Sequence, residues 1–504
     1  MQRFVLKAGM KVTIMGLGLH GGGASSAEYF LKRGAIVTIT DLKKREFLKS
    51  SIKRIDEFIK NNRIPSNNVR YVLGRHNIND FTQSDLIIKN PGVPAASLFL
   101  KKSREAGIPV ETDISIFFSL KDNPIIAVTG SKGKSTTASA IYHCLKSVYP
   151  NSRLGGNITV SPLEFADDIE DSDPVVLETS SWQLADLKGN KNFKPKVAVL
   201  TNILPDHMDK YTNMNDYIAD KKIIFGNQNS NDFAVLNLDD PYLEQIQKGI
   251  KAGLYFFSKK RFKSKKKIGA FYGDEYRIHE TYGTYLGDDG KTGFLILPDY
   301  LNRQTDNSEP PKDLRSSVAI LEHFPLPGEH NKINLITAAL ALALFGVKLS
   351  VIKRTLSNFQ GIEHRLELFH TYREIRFYND SAATIPQATI EALKALDKPI
   401  FLITGGTDKN LDLTPMAAYL TIPEKIFLLK GSATEKLIAI LKNMAVDYYG
   451  PYDTLDEAVN NVSKNLYSGV SVLFSPGSTS FELFKNEFHR GKMFKQLIRS
   501  NFPQ

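Results

Sequence analysis

The stretch Ile125-Ile-Ala-Val-Thr-Gly130-Ser-Lys-Gly-Lys-Ser-Thr-Thr leaves this chain the fewest folding options. Its first five residues are uncharged and mostly β-branched, which suits a strand buried on both faces. Gly130-Ser131-Lys132-Gly133 then imposes a turn, and a helical pattern runs from Lys134 to about Ser147. A buried strand that passes through a glycine turn into a helix belongs in a parallel α/β sheet. The turn also predicts a chemistry. Backbone N–H groups can cradle phosphate oxygens, Lys134 can neutralise the outer phosphates, and the Ser135 or Thr136 hydroxyl can reach Mg²⁺. Only two residues separate the glycines, where the common triphosphate loop G-x-x-x-x-G-K-[S/T] has four. The parts keep the same jobs.

A second glycine loop, Gly16-Leu-Gly18-Leu19-His20-Gly21, lies between the strand Val12–Met15 and a helical stretch from about Ala24 to Lys32. It matches G-x-G-x-x-G. Asp41 ends the next strand about twenty residues on, where a ribose-binding acid would sit. This loop alone suits nicotinamide, flavin or another nucleotide diphosphate. An oxidoreductase has no need of a triphosphate cradle, so Gly130 to Thr136 turns the reading away from a dehydrogenase.

Three blocks follow from the alternation of apolar runs and helical segments. Residues 1–121 hold the first loop and a strand Leu86–Lys89 that leads into Asn90-Pro-Gly-Val-Pro. Residues 122–359 hold the phosphate loop, strands Val175–Glu178 and Val197–Leu200, and a helix Asn331–Phe345. Within that block the aromatic alternation from about Tyr255 to Leu326 predicts antiparallel hairpins and a loop. Residues 360–504 carry strands at Ile375–Tyr378, Ile400–Thr404, Lys425–Leu429 and Val470–Phe474. The expected fold class is α/β in three domains. These are an N-terminal Rossmann-like domain, a central P-loop α/β domain with added antiparallel strands, and a C-terminal Rossmann-like domain.

Composition excludes some alternatives. The 504 residues are 42% hydrophobic and 24% charged, as in ordinary globular proteins. No uncharged apolar run reaches the roughly 18 residues of a membrane span. The N-terminal apolar stretch is interrupted by Lys11 and runs into a glycine turn, so it predicts a first strand and not a signal peptide. The single cysteine, Cys144, permits no intrachain disulfide and fits a reducing, cytoplasmic setting. Beside Ile141 and Leu145 it predicts a core thiol. The net charge of +11 includes the dense run Lys259–Lys267, which reads as a solvated loop with, at most, an attraction for phosphorylated substrates. No nucleic-acid-binding motif accompanies it.

A triphosphate site also needs groups that hold a metal. Glu178 ends one buried strand, and Asn202-Ile-Leu-Pro-Asp206-His207 follows another. Active-site groups in open α/β sheets gather at this carboxyl edge, so Glu178 and His207 should converge near the phosphates. The pair Lys221-Lys222, on a helical segment, by itself reads as a solvated face.

In this order the motifs resemble the Mur ligases of cell-wall synthesis. The likeness spans nearly the whole chain and includes Gly155-Gly-Asn-Ile, Leu177-Glu-Thr-Ser-Ser-Trp-Gln-Leu, Pro205-Asp-His-Met-Asp-Lys-Tyr, Gly328-Glu-His-Asn, Gly361-Ile-Glu-His-Arg-Leu-Glu, Asn379-Asp-Ser, Gly405-Gly-Thr-Asp-Lys and Ser475-Pro-Gly-Ser-Thr-Ser-Phe-Glu-Leu-Phe. The resemblance implies ATP-dependent amide formation through an acyl-phosphate. UDP-N-acetylmuramoyl-L-alanine and D-glutamate are the implied substrates. It assigns Leu19, His20, Asp41 and Asn157 to the UDP-linked substrate. Lys134, Ser135 and Thr136 go to phosphate and Mg²⁺, and Ser135, Glu178 and His207 to the metal. Lys221 is the implied carbamate, a ligand for the second of two Mg²⁺ ions. Asn331, Arg365 and Asp380 are implied ATP contacts, the last two from the third domain. Thr384, Lys409, Ser480 and Phe481 are implied for the incoming amino acid. The implied enzyme is a cytoplasmic monomer with no nucleic-acid or membrane partner.

One departure bears on the acceptor. The family usually reads Asn-Asp-Ser-Lys-Ala-Thr-Asn where this chain has Asn379-Asp-Ser-Ala-Ala-Thr-Ile, so Ala382 replaces a lysine. The alternatives are a ligase of the same type for L-glutamate or another amino acid, a nucleotide-binding homologue without catalysis, and a P-loop kinase. Retention of Lys134, Glu178, His207 and Lys221 together opposes loss of chemistry, and the C-terminal Ser-Pro-Gly-Ser-Thr-Ser run favours glutamate addition.

Overall fold

The computed structural model describes residues 6–18, 21–158, 160–205, 211–261, 282–297, 318–408, 411–480 and 482–503, with the backbone of two further strands at 268–272 and 275–279. Two compact units emerge. One holds the chain up to Glu322 together with Ile333–Leu356; the other holds His323–Lys332 and Ser357 onward.

The first unit contains two sheets. In the N-terminal one, β1 (Lys11–Met15), β2 (Ile36–Asp41), β3 (Val69–Leu73), β4 (Leu86–Lys89) and β5 (Val110–Glu111) lie parallel in the order 3-2-1-4-5. The switch point falls at β1, whose carboxyl end feeds the first glycine loop. Such a point opens a crevice for a ligand.

The second sheet has nine strands. They are β6 (Ile125–Thr129), β7 (Arg153–Gly156), β8 (Val175–Glu178), β9 (Val197–Leu200), β10 (Phe233–Asn237) and β11 (Gly253–Ser258), followed after the separate hairpin β12 (Ile268–Tyr272) and β13 (Glu275–His279) by β14 (Gly283–Leu286), β15 (Gly293–Ile296) and β16 (Val318–Leu321). Their order is 16-15-14-11-10-9-6-8-7. Every residue of β6, β8 and β9 is buried. These strands therefore read in sequence as unbroken apolar runs and not as an alternation. The expected antiparallel additions are present at β14–β15 and β15–β16. Gly253–Ser258 departs from that expectation, because it pairs parallel with both β10 and β14. Its five buried residues in six make it part of the central sheet, whereas aromatic alternation alone suggested an antiparallel hairpin. Most of the basic run lies outside the described residues.

One apolar cluster runs through both sheets of this unit, from Val12 and Phe30 through Phe117 to Val175, Leu200 and Phe256. Phe117, on the helix Asp113–Leu120, meets Phe165 edge-on with ring centroids 5.8 Å apart. Cys144 is fully buried in the helix Lys134–Val148, as its neighbours predicted, and burial pushes its thiol pKa up. At the margin of the cluster the Lys89 ammonium forms a buried ion pair with Asp186.

In the second unit, β17 (Glu367–Tyr372), β18 (Ile375–Asn379), β19 (Ile400–Thr404), β20 (Lys425–Leu429), β21 (Tyr449–Tyr452) and β22 (Ser471–Phe474) form a sheet ordered 17-18-22-19-20-21. All its pairings are parallel except β17 with β18. Successive residues of β19 serve opposite faces. Ile400 and Leu402 join one core with Leu393 and Leu437, while Phe401 and Ile403 join another with Phe474 and Phe494. Helices cover both faces. Among the described residues, no helix is long and apolar enough to cross a membrane.

Candidate active site

The phosphate loop joins β6 to the helix Lys134–Val148 and is held from the next strand. Just past β9, the Asn202 carbonyl accepts the Ser131 N–H at 2.8 Å, and the Asn202 side-chain oxygen accepts the Lys132 N–H at 2.9 Å. The Thr201 hydroxyl donates to the Lys132 carbonyl at 2.6 Å. Ser131, nearly fully buried, shares a 2.9 Å hydrogen bond with the Tyr217 hydroxyl. Gly130 has φ +144°, and a Cβ there would lie 1.9 Å from the Thr201 hydroxyl oxygen. A side chain at that position would prise the loop off its support. Ser135 and Thr136 sit half-buried in the first helical turn, where N–H groups lack helical partners.

Two lysines converge on this loop. Lys134 Nζ donates to the carbonyls of Gly130 and Ser131, both at 2.9 Å. Lys221 Nζ donates to the Gly130 carbonyl at 2.9 Å from the helix Met214–Lys222. Lys221 is 2% exposed and lies 4.6 Å from the Tyr217 ring centroid, four residues earlier on the same helical face. This corrects the solvated-face reading of the lysine pair. Lys222 alone turns outward, to the carbonyls of Gln245 and Lys248.

Glu178 ends β8, in register with Val128 of the adjoining β6. It is 2% exposed. Its Oε1 accepts a 2.7 Å hydrogen bond from the Asn157 amide, whereas its buried Oε2 meets no donor among the described residues. A buried carboxylate oxygen without a donor is costly unless a cation completes it. The Glu178 carboxylate and the Ser135 hydroxyl are hard oxygen donors of the kind Mg²⁺ prefers. His207 lies outside the described residues, as do Leu19, His20, Lys409 and Phe481.

Asp41 sits beneath the first glycine loop. Its Oδ2 accepts the N–H groups of Leu17 at 2.9 Å and Gly18 at 3.2 Å, and its Oδ1 accepts that of Lys43 at 2.8 Å. The carboxylate thus shapes the loop that the sequence expected it to supplement. The close approach of helix to strand is made by Gly23, where a Cβ would lie 2.5 Å from the carbonyl oxygens of Gly16 and Leu17. Gly23 lies two residues past the last glycine of the G-x-G-x-x-G match. Three consecutive glycines gave no pattern from which to choose.

Two family profiles match the sequence: the Mur ligase middle domain over residues 128–342, and the Mur ligase MurD-like N-terminal domain over residues 10–112. The chain is 40% identical, over 491 residues and 97% of each protein, to the UDP-N-acetylmuramoylalanine–D-glutamate ligase of Borreliella burgdorferi (strain ZS7). It belongs to the Mur ligase family.

A relative of the same name from Treponema pallidum (strain Nichols) is 36% identical, with 99% of each chain covered. Among solved Mur ligase structures, UDP-N-acetylmuramate-alanine ligase from Thermotoga maritima matches with a TM-score of 0.56 at 18% identity, covering 98% of this chain and 100% of that one. The T. maritima MurF ligase in complex with ADP matches with a TM-score of 0.53 at 15% identity, covering 99% and 98%. These two likenesses establish the fold: the mixed α/β architecture of a three-domain Mur ligase.

The remaining sequence-derived positions of this Mur ligase lie in its second unit. Asn331, 8% exposed, donates through its side-chain amide to the Pro327 carbonyl at 2.8 Å. Arg365 is exposed on a turn closed by its N–H to the Ile362 carbonyl. The buried Asp380 carboxylate accepts the Leu366 N–H at 3.0 Å and the Ser475 hydroxyl at 2.7 Å. Burial pushes its pKa up to about 7, against the pull of those donors and of Arg365 and Arg490. Thr384 is half-buried just before the helix Pro386–Ala395, and Ser480 is buried. Ala382 donates its N–H to the His364 carbonyl at 3.0 Å.

Sequence reasoning gave no role to Asn202, Tyr217 or Arg490. Asn202 follows a buried strand as Glu178 ends one, and Tyr217 shares a helical face with Lys221. Both could have been found by those rules. Arg490 reaches Ser478 and Thr479 a dozen positions or fewer away but also Ser381, 109 positions away, and no local pattern announces that pairing.

Proposed function

We propose that this Mur ligase joins D-glutamate to UDP-N-acetylmuramoyl-L-alanine with hydrolysis of ATP to ADP and phosphate, for peptidoglycan precursor synthesis. The observation that carries the reading is the convergence of Lys134 and Lys221 on the Gly130 carbonyl, with the donorless Oε2 of Glu178 on the adjacent strand end. That is an arrangement for a polyphosphate and its metal. The full-length likeness to relatives named for this reaction supports the choice of substrates.

In the first step the substrate carboxylate attacks the γ-phosphorus, forming an acyl-phosphate and releasing ADP. In the second, the glutamate amine attacks the acyl carbon, loses a proton, and phosphate leaves. Two anions must approach in the first step, so electrostatic screening is the main task of the site. Lys134 sits on the loop that would hold the phosphates. Mg²⁺ held by Glu178, Ser135 and His207 would screen the remaining charge, and Lys221, carboxylated by CO₂, would add an anionic ligand for a second ion. Asp41 would keep the first loop shaped for the UDP diphosphate, with Leu19, His20 and Asn157 as further contacts. Thr384, Lys409, Ser480 and Phe481 would receive the amino acid. The domains are assigned as 1–121 for the nucleotide sugar, 122–359 for ATP and 360–504 for the acceptor, in a cytoplasmic monomer.

The deciding assay measures phosphate release from ATP with Mg²⁺ and UDP-N-acetylmuramoyl-L-alanine across a panel of D- and L-amino acids. Release with D-glutamate above all others is the expected result. Release that prefers L-glutamate or needs no amino acid would overturn it.

A further inference from the structure

Arg490 is among the largest fully buried side chains of the second unit, at 1% exposure. It lies near the start of the helix Glu487–Asn501, which Asn486 caps through the His489 N–H at 2.8 Å. Among the described residues its guanidinium hydrogen-bonds only to backbone. Nη1 donates to the carbonyls of Ser478 at 3.2 Å and Thr479 at 3.1 Å; Nη2 donates to those of Ser381 at 2.8 Å and Ser478 at 3.1 Å. Among the described residues no carboxylate ion-pairs with it, and its Nε has no partner. A buried cation placed this way is expensive, and an apolar side chain would fill the same space more cheaply. The cost needs a purpose.

The purpose is visible in where those carbonyls lie. Ser381 begins the segment that reaches Thr384. Thr479 precedes Ser480 and forms a two-way backbone bridge with Thr407, with N–H to carbonyl distances of 3.0 and 3.1 Å. Thr407 begins the segment that reaches Lys409. Two segments distant in sequence therefore meet at one planar fork, and the Thr407–Thr479 bridge ties a third to it. They are the ones assigned to the amino-acid acceptor above.

We infer that Arg490 is a positioning residue for the acceptor pocket, its fork setting the spacing of the segments at 381–384 and 478–480 and, through the Thr407–Thr479 bridge, of 407–408. This rests on the reading of those loops as the acceptor site. Two terminal nitrogens in a fixed plane serve three carbonyls, whereas the compact ammonium of a lysine cannot span them.

The test compares wild type with Arg490→Met and Arg490→Lys in steady-state assays that vary each substrate in turn. Amide hydrogen exchange is followed in parallel. Both variants should raise KM for D-glutamate by roughly tenfold or more and leave KM for ATP and for the nucleotide sugar within about twofold. Exchange should accelerate across 477–484 and not across β20. Should Arg490→Met fail to fold, Arg490→Lys keeps charge and near volume and carries the comparison. Parallel rises in all three KM values, or an unchanged KM for glutamate, would overturn the inference. So would full recovery in Arg490→Lys, which would make charge and not the fork the active feature. If wild type releases no phosphate with D-glutamate, the reaction assignment has failed. The loop-spacing claim then stands or falls on the exchange pattern alone.

Discussion

Lys134 and Lys221 donate to one and the same oxygen, the carbonyl of Gly130, each at 2.9 Å. Two ammonium groups on a single acceptor repel each other, and burial of Lys221 removes the water that would screen them. Conversion of one of them to a carbamate replaces that repulsion by attraction. The Lys221→Ala variant should lose activity and regain part of it when a short carboxylate such as formate or acetate is added. Lys221→Arg should not respond to the same additive. Rescue of neither variant, at any concentration, would remove the carbamate from the account.

The Lys134→Ala variant should turn over about 10²-fold or more slowly, because its charge acts where phosphate oxygens gain charge in the transition state. Steady-state phosphate release is the check. Near-normal kcat would mean that the loop does not hold the reacting phosphate.

Gly130→Ala places a methyl group against the Thr201 hydroxyl at a backbone angle that side chains rarely adopt. The cost should be about 1–3 kcal/mol of stability. A lowered melting temperature and weakened ATP binding should appear together. A variant that melts with wild type would show that the turn is looser than its contacts imply.

Asp380 titrates near pH 7 when folded and near the ordinary carboxylate value of 3.8 when unfolded. Between those limits the folded chain holds the extra proton, so raising the pH favours unfolding. Stability owed to this group is fully present below about pH 4 and is lost as the pH climbs to about 7. The Asp380→Asn variant should lack that slope. Melting temperatures of the two proteins across pH 4–8 give the answer, and parallel curves would contradict it.

Cys144 is fully buried, and its thiol is held protonated by that burial. An aromatic disulfide reagent should leave it untouched in the folded protein and label it on denaturation. Rapid labelling under native conditions would mean that the helix Lys134–Val148 opens readily.

Local chemistry made part of this molecule legible in advance. The strands β4, β6, β8, β9, β19 and β20 stand in the sequence as short apolar runs, because strands covered on both faces leave no polar alternation to confuse the reading. The phosphate loop was equally plain, since its glycines and Lys134 act within a few residues of each other. What escaped depends on distant partners. The inward turn of Lys221 is set by Gly130, ninety-one positions away, and a lysine pair on a helix otherwise suits water. The direction of β11 is decided by its neighbours β10 and β14 and not by its own aromatic residues. Asp41 was placed by spacing alone, and its bonds to the amides of Leu17, Gly18 and Lys43 could not be read from that spacing.

The apolar cluster that joins the two sheets of the first unit has a practical cost for anyone wishing to dissect the enzyme. Cutting the chain near Asn123 would strip Phe117 of its partner Phe165 and strand the Lys89 ammonium without Asp186. Both halves would present raw, sticky faces to solvent. A sugar-nucleotide-binding piece made in isolation should therefore clump, and ligand studies on this enzyme are best done on the uncut polypeptide.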